Sequence, residues 1–591
     1  MDNTSLTLNL RVPEQTLETL SFADGTEKGI SRWIDSLPKA NIGETARQLY
    51  QGLIEFNQLI IAPDKRLDLL ELIRPQISFV CTALARYYLG QSIVLEERPR
   101  KIANLSQALE NHLANGYKIV ILQADQIKQR QRGSLLALAI QRAISTLSRP
   151  IVRAYQLYRP APDSIWLEIH QLFRLAHAHK LQDLRIKDPE SADAQTLSIK
   201  QTYTTILLMG AARPNQMRQK AMAHLMTQLE SWSRLVKMVK PDSLNAMFVI
   251  NPDADAPPRY RSTLQEVDLD SGIGLDTREL TAALTDYLLD SSTSKLQVTD
   301  GMGIELLQHL NHSWGDLAER TFDRLPGNGE LRVTIGMSAT HFHLAGQSFA
   351  KFIEAESIVP FSEESLRQEK EGWGLAFDGD KTADYPNHPV ERIEYTQPGE
   401  PAESELEVHY PIHCLKIVNH SPRGFCISWP EKVPRQLQAG ELLGVQEEID
   451  HGWSLAVVRW IRQVRGGGTQ MGVELIAPHC SPCAIKLLRN AEEPSHYLRA
   501  LLIPEVTALE QPETVITPRL PFQLNSKVML RLGTQEVRAQ LIKSIMSTGS
   551  FSQFQHEIRQ PPEVIAEKKE PSTTELPISG GNEFDSLWKL L

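Results

Sequence analysis

The chain has 591 residues, of which 41% are hydrophobic, 23% charged and five are cysteine, and its formal net charge is −10. That length exceeds one core and predicts three or four domains. The acidic balance excludes a nucleic-acid binder that works through a global basic field, and so few cysteines exclude a disulfide scaffold.

The first residues, MDNTSLTLNL, lack the basic and apolar regions of a secretory signal, and apolar runs such as 205–212 fall short of the ~20 residues of a membrane span. The expectation is a cytoplasmic protein without membrane insertion. From about 31 to 239 the pattern is helical: Ala46, Leu49, Leu53, Phe56 and Ile60 recur at spacings of three and four, with Pro63, Pro75, Gly90, Pro150 and Pro214 as breaks. Residues 1–244 therefore read as a helical bundle or array. Within it His170 and His177 share a helix with Trp166, Ile169 and Phe173, but no HExxH spacing or matched carboxylate accompanies them, so they read as ordinary core or surface histidines.

Residues 245–310 read as a small mixed α/β subdomain, with strands over 246–250 and 260–267 and a helix over 277–289. Asp268, Asp270, Ser271 and Gly272 fit a turn better than a calcium loop, whose terminal glutamate is missing. β-branched and aromatic runs at 331–344, 408–418, 424–429, 454–461 and 469–475 predict a barrel of five or six strands built from 311–346 and 407–490. Residues 347–406 split it; 15 acidic and 5 basic residues between 351 and 407 make this an acidic, flexible insertion.

A second small β-domain, or an extension of the first barrel, is expected over 491–560. Residues 561–591 read as a flexible tail that carries Phe584, Leu587 and Trp588 at helical spacing, which suits docking to a protein groove or folding back on the chain's own domain. The fold class is thus multidomain α+β: a helical N-terminal bundle or array, an antiparallel barrel and a further small β-domain.

Two short segments carry the chemistry. Arg320-Thr-Phe-Asp-Arg324 precedes the first barrel strand, and Asn419-His-Ser421-Pro-Arg-Gly424 lies at a turn between later strands. Each alone is a common composition. In this order, with Gly452 to Arg465 and Met471-Gly-Val-Glu-Leu475 behind them, they resemble the PilZ family, in which RxxxR precedes the barrel and [D/N]xSxxG lies on an early strand connection. The resemblance covers about 311–490 without the insertion. It implies a PilZ-like β-barrel that binds cyclic di-GMP through Arg320, Arg324, Asn419, Ser421 and Gly424, with output through a protein partner that meets the helical region or the tail, in motility, pili, adhesion or biofilm control.

Planar guanidinium groups can hold phosphates bidentately and stack on guanine, an amide and a hydroxyl can pair with a guanine edge, and a glycine admits close backbone approach. Ordering the arginine segment would then swing the helices relative to the barrel. The alternative is a degenerate PilZ-like scaffold that binds partners without nucleotide. No Walker loop, GxSxG elbow or HExxH is present, so no enzyme is expected. The glycines at 466–468 read as a hairpin turn, and His479, Cys480 and Cys483 lack a fourth ligand for a metal.

Overall fold

The computed structural model describes residues 10–191, 196–265, 272–292, 294, 296–315, 325–327, 329–354, 409–430, 433–448, 451–465, 468–488, 496–505, 511–533 and 535–559. Eight helices build the first part: α1 Glu27–Ser36, α2 Ile42–Gln58, α3 Pro63–Ala85, α4 Glu97–Leu122, α5 Gln129–Gln156, α6 Ile165–Ala178, α7 Ile199–Ala211 and α8 Gln219–Trp232. A two-stranded hairpin, β1 Arg185–Lys187 with β2 Thr196–Ser198, precedes α7. Ser198 and Gln201 form a reciprocal cap at the start of α7, which satisfies two of its orphan donors.

Pro63 stands at the first position of α3, and Pro214 separates α7 from α8. Pro75 and Pro150, expected as breaks, lie inside α3 and α5. Each removes a backbone bond at about 3 kcal/mol, which the burial of Ile73 and Ile77, or Leu147 and Ile151, offsets. α5 has the length and apolar content to cross a bilayer, contrary to the sequence expectation, but 72% of that stretch is packed inside the protein.

Four short strands follow, β3 Lys237–Val239, β4 Phe248–Ile250, β5 Arg259–Tyr260 and β6 Ile273–Asp276, in the antiparallel order β3-β6-β4-β5. β3 thus joins this sheet from upstream of residue 245. The strand expected over 260–267 is cut to two residues, because the chain turns into a 3-10 turn at Arg261–Thr263. Helices α9 Arg278–Leu289 and α10 Ile304–Trp314 complete this part; Asp268, Asp270 and Ser271 lie outside the described residues.

Two barrels complete the described residues. The first has β7 Leu325–Pro326, β8 Glu330–Ile335, β9 His413–Ser421, β10 Gly424–Trp429, β11 Leu442–Gln446, β12 Ser454–Gln463 and β13 Thr469–Ala477. The order is β10-β13-β12-β11-β8-β9, and a β9–β10 pairing closes six strands, with β7 added on β9. The second is a closed barrel of β14 Ser481–Leu487, β15 Leu498–Ile503, β16 Thr514–Pro518, β17 Lys527–Leu532, β18 Gln535–Ser547 and β19 Phe551–Ile558.

The strand expected over 331–344 is corrected. β8 ends at Ile335, Gly336 turns the chain at φ +84°, and α11 Gly336–Ala345 follows, stopped by Gly346 at φ +63°. Met337 of α11 packs in the apolar cluster between the two barrels with Leu455, Leu501 and Phe551. The expected flexible insertion also begins later than 347, because α12 Phe349–Glu354 buries Ala350 and Phe352; residues 355–408 lie outside the described residues.

Helices and first barrel share one apolar core: Trp429, Val433 and Leu437 of the barrel belong to the same cluster as Ile93, Leu157 and Tyr158. Gln463 at the end of β12 seals the seam, its side-chain amide donating to the carbonyls of Ile93 (2.7 Å) and Leu157 (2.9 Å). Arg218 ties in the second barrel, with bonds to the Ala439 carbonyl (3.0 Å) and the Ser550 hydroxyl (2.6 Å). A seam so apolar favours a fixed relation of helices and barrel over free rigid-body rotation.

Candidate functional site

Asn419, Ser421 and Gly424 meet at the β9–β10 hairpin. Ser421 pairs with Gly424, His420 with Phe425 and Asn419 with Cys426, and Pro422-Arg423 forms the connection. The Ser421 hydroxyl donates weakly to the Gly424 carbonyl at 3.4 Å, which leaves its lone pairs as acceptors.

Gly424 has a different reason to be glycine from the one expected. Its φ is +150°, and a Cβ there would lie 2.0 Å from the Val473 carbonyl oxygen of β13. The missing side chain is therefore demanded by the neighbouring strand, whatever further use a ligand makes of the space.

Directly paired residues share a face of a sheet. Asn419 pairs with Cys426, Cys426 with Gly472, and Gly472 with Trp460, so these four form a row across β9, β10, β13 and β12. A parallel row runs from Ser421 through Gly424 to Glu474. Ile417, Ile427, Met471, Val473 and Val458 fill the barrel core, which puts both rows on the outside.

The floor of this face is made of small residues, Gly424, Cys426 and Gly472. Asn419 and Ser421 stand at one margin and Trp460 at the other, three strand spacings or about 14 Å away. The Trp460 indole lies against Gly472, where a Cβ would come within 2.0 Å of its Nε1. The Arg462 guanidinium sits over the indole, 5.3 Å from its centroid, and Arg459 pairs with Glu474 at the end of the second row. Trp460 and Arg462 were not among the residues singled out in the sequence, because the bulge after Val458 shifts the alternation of β12 that would bring them to this face.

Arg320 and Arg324 lie outside the described residues. The strand that follows them does not: in β7, Leu325 pairs with His420 and Pro326 with Asn419. β7 and the polar hairpin are therefore direct neighbours.

Other polar clusters are structural. His170 is buried in the core, with Nδ1 at 2.8 Å from the Tyr203 hydroxyl and Nε2 at 3.0 Å from the Ala256 carbonyl, and burial pushes its pKa down to about 4. Burial pushes the Cys480 thiol up to about 12 and raises that of Cys483 as well. Among the described residues no three His, Cys, Asp or Glu side chains are grouped to hold a metal. β12 and β13 are joined as a hairpin through the glycine run, with Gly468 at φ +79°.

Comparisons with known proteins agree along the whole chain. Residues 28–242 match the family model of the N-terminal domain of the cyclic-di-GMP receptor FimW, residues 247–482 its middle PilZ domain, and residues 483–558 its C-terminal β-barrel domain. The chain is 48% identical over 608 aligned positions to the cyclic-di-GMP receptor FimW of Pseudomonas aeruginosa, covering all of both chains. No solved structure matches.

Proposed function

The chain belongs to the FimW family of cyclic-di-GMP receptors, and from that premise we propose that its middle barrel binds cyclic di-GMP on the outer face between Asn419 and Trp460. The observation that carries this reading is the β7–β9 ladder. Arg324 is peptide-bonded to Leu325, and Leu325 is paired with the residue between Asn419 and Ser421. The peptide bond keeps Arg324 within about 3.8 Å, Cα to Cα, of a residue paired at the polar margin, and Arg320 within about 19 Å, which supports a role for both beside the hairpin. The 95-residue separation in sequence between Arg324 and Asn419 is bridged by strand pairing.

In this reading Arg320 and Arg324 hold the phosphodiesters through bidentate, charge-assisted bonds. The Asn419 amide and Ser421 hydroxyl pair with a guanine edge. The Trp460 indole lies under the Arg462 guanidinium, and a base that displaces this cation gains a stacking surface of the kind that holds bases at about 1–3 kcal/mol each, while Gly424 and Cys426 keep the floor beside it low.

The shared helix–barrel core points to an output by surface change rather than domain rotation. Ordering the arginine segment alters the face it borders, and a protein partner reads that face together with the adjoining helices. We place this receptor in the cytoplasm, acting on motility, pili, adhesion or biofilm formation. The tail residues Phe584, Leu587 and Trp588, the other partner surface expected from sequence, lie outside the described residues.

Calorimetric titration of the full chain with cyclic di-GMP tests the proposal. Binding in the wild type, weakened at least ~100-fold in Arg320→Ala/Arg324→Ala as two charged hydrogen-bonding groups are lost, supports it. Absence of heat in both proteins leaves a nucleotide-free scaffold.

A further inference from the structure

β18 of the C-terminal barrel has two irregularities. Its pairing with β19 shifts register between Leu541 and Lys543 and again between Ser544 and Met546, so Ile542 and Ile545 have no ladder partner. β-bulges re-aim side chains, and these two isoleucines are turned to solvent, 39% and 46% exposed. On the other side of β18, pairing with β17 ends at Gln540, and Asn525 N–H donates to the Leu541 carbonyl at 2.7 Å. That bond brings the segment before β17 alongside, with Leu520 and Leu524 54% and 52% exposed.

We infer that this apolar face is the docking surface for residues 584–591 of the same chain. Three observations select that occupant. First, the chain leaves the barrel along β18 itself: after β19, Arg559 N–H donates to the Arg538 carbonyl at 2.8 Å. The 24 residues from 560 to 583 can span up to about 80 Å, ample for a return to Ile542.

Second, Phe584, Leu587, Trp588 and Leu591 follow the i, i+3, i+4, i+7 pattern of one helical stripe. Eight helical residues are about 12 Å long, which matches the ~10 Å between the two isoleucines along an extended strand. Third, Lys527 and Lys543 are exposed at this face, whereas residues 560–591 carry six carboxylates against three lysines. An apolar stripe in an acidic segment therefore meets an apolar patch flanked by Lys527 and Lys543, with Glu557 farther along the row of Lys527.

Hydrogen exchange on the full chain tests the inference. In Phe584→Ala/Leu587→Ala/Trp588→Ala, amides at 542–547 exchange about tenfold faster than in wild type, and those of the middle barrel are unchanged. In Ile542→Lys/Ile545→Lys, where both side chains are already exposed and the barrel is retained, residues 584–591 lose protection in turn. Protection in the wild type persists through about a hundredfold dilution, as an intramolecular contact must. Unchanged exchange at 542–547 in the triple variant overturns the inference, and so does protection that fades on dilution, which assigns the face to a second copy.

Discussion

Leu325 stands across the ladder from His420, flanked on the opposing strand by Asn419 and Ser421. This pairing fixes where the chain emerges from the arginine pair. Two glycines inserted between Arg324 and Leu325 keep every side chain but break the fixed spacing, and cyclic di-GMP affinity falls about tenfold or more while the melting temperature holds. Asn419→Ala and Ser421→Ala, each removing one hydrogen bond worth about 1–1.5 kcal/mol, weaken binding about tenfold apiece in the same titration. Affinity unchanged by all three variants separates the hairpin from the ligand.

Gly424 belongs to the hairpin's architecture. A methyl group there meets the Val473 carbonyl at 2.0 Å, too close for any rotamer to relieve. Gly424→Ala therefore forces β10 away from β13 and destabilises the chain by about 3 kcal/mol or more, measured by urea unfolding without ligand. A direct ligand role alone predicts normal stability and lost binding, and this distinguishes the two.

Trp460 and Gly472 form a matched pair: the indole has its place because the glycine has no side chain. Trp460→Ala removes the stacking surface and weakens cyclic di-GMP by about 1–3 kcal/mol, roughly five- to 150-fold. Gly472→Ala lifts the indole off the strand and reproduces part of that loss with Trp460 still present. Tryptophan fluorescence quenching by nucleotide, present in wild type and reduced in Gly472→Ala, reports the displacement directly.

The polar hairpin was legible in sequence because its residues are local: Asn419, Ser421 and Gly424 lie within six residues, and turn chemistry announces them. Trp460 was not, since it reaches the site through three strand pairings and a bulge after Val458 that changes which side chains face out. β11 escaped notice because Leu442–Gln446 is buried along its whole length and shows no alternation. α11 was read as strand for a related reason. Residues 336–345 mix apolar with polar side chains and are buried or half-buried on every side, as befits a helix wedged between two barrels, so no periodic stripe appears and only the positive φ of Gly336 and Gly346 marks its limits. Pro75 and Pro150 misled because a local break signal is overridden where the flanking turns are well buried.

His170 and His341 predict how stability depends on pH. His170 is held neutral by burial against Trp166 and Tyr203, with Asp253 and Asp255 opposing the shift only partly, and its pKa falls to about 4. His341 bonds through Nε2 to the Cys483 carbonyl, with Phe349 and Phe352 edge-on and Arg499 nearby, and its pKa also falls to about 4. In the unfolded chain each titrates near its ordinary 6.5. Between these values the unfolded state binds more protons, so stability is complete above about pH 6.5 and drains as pH drops toward 4. From pH 7 to pH 5 each histidine accounts for about 2 kcal/mol of loss. Urea unfolding at the two pH values checks this: His170→Gln narrows the gap by about 2 kcal/mol whatever its effect at pH 7, and a gap identical to wild type shows that His170 already titrates normally in the folded protein.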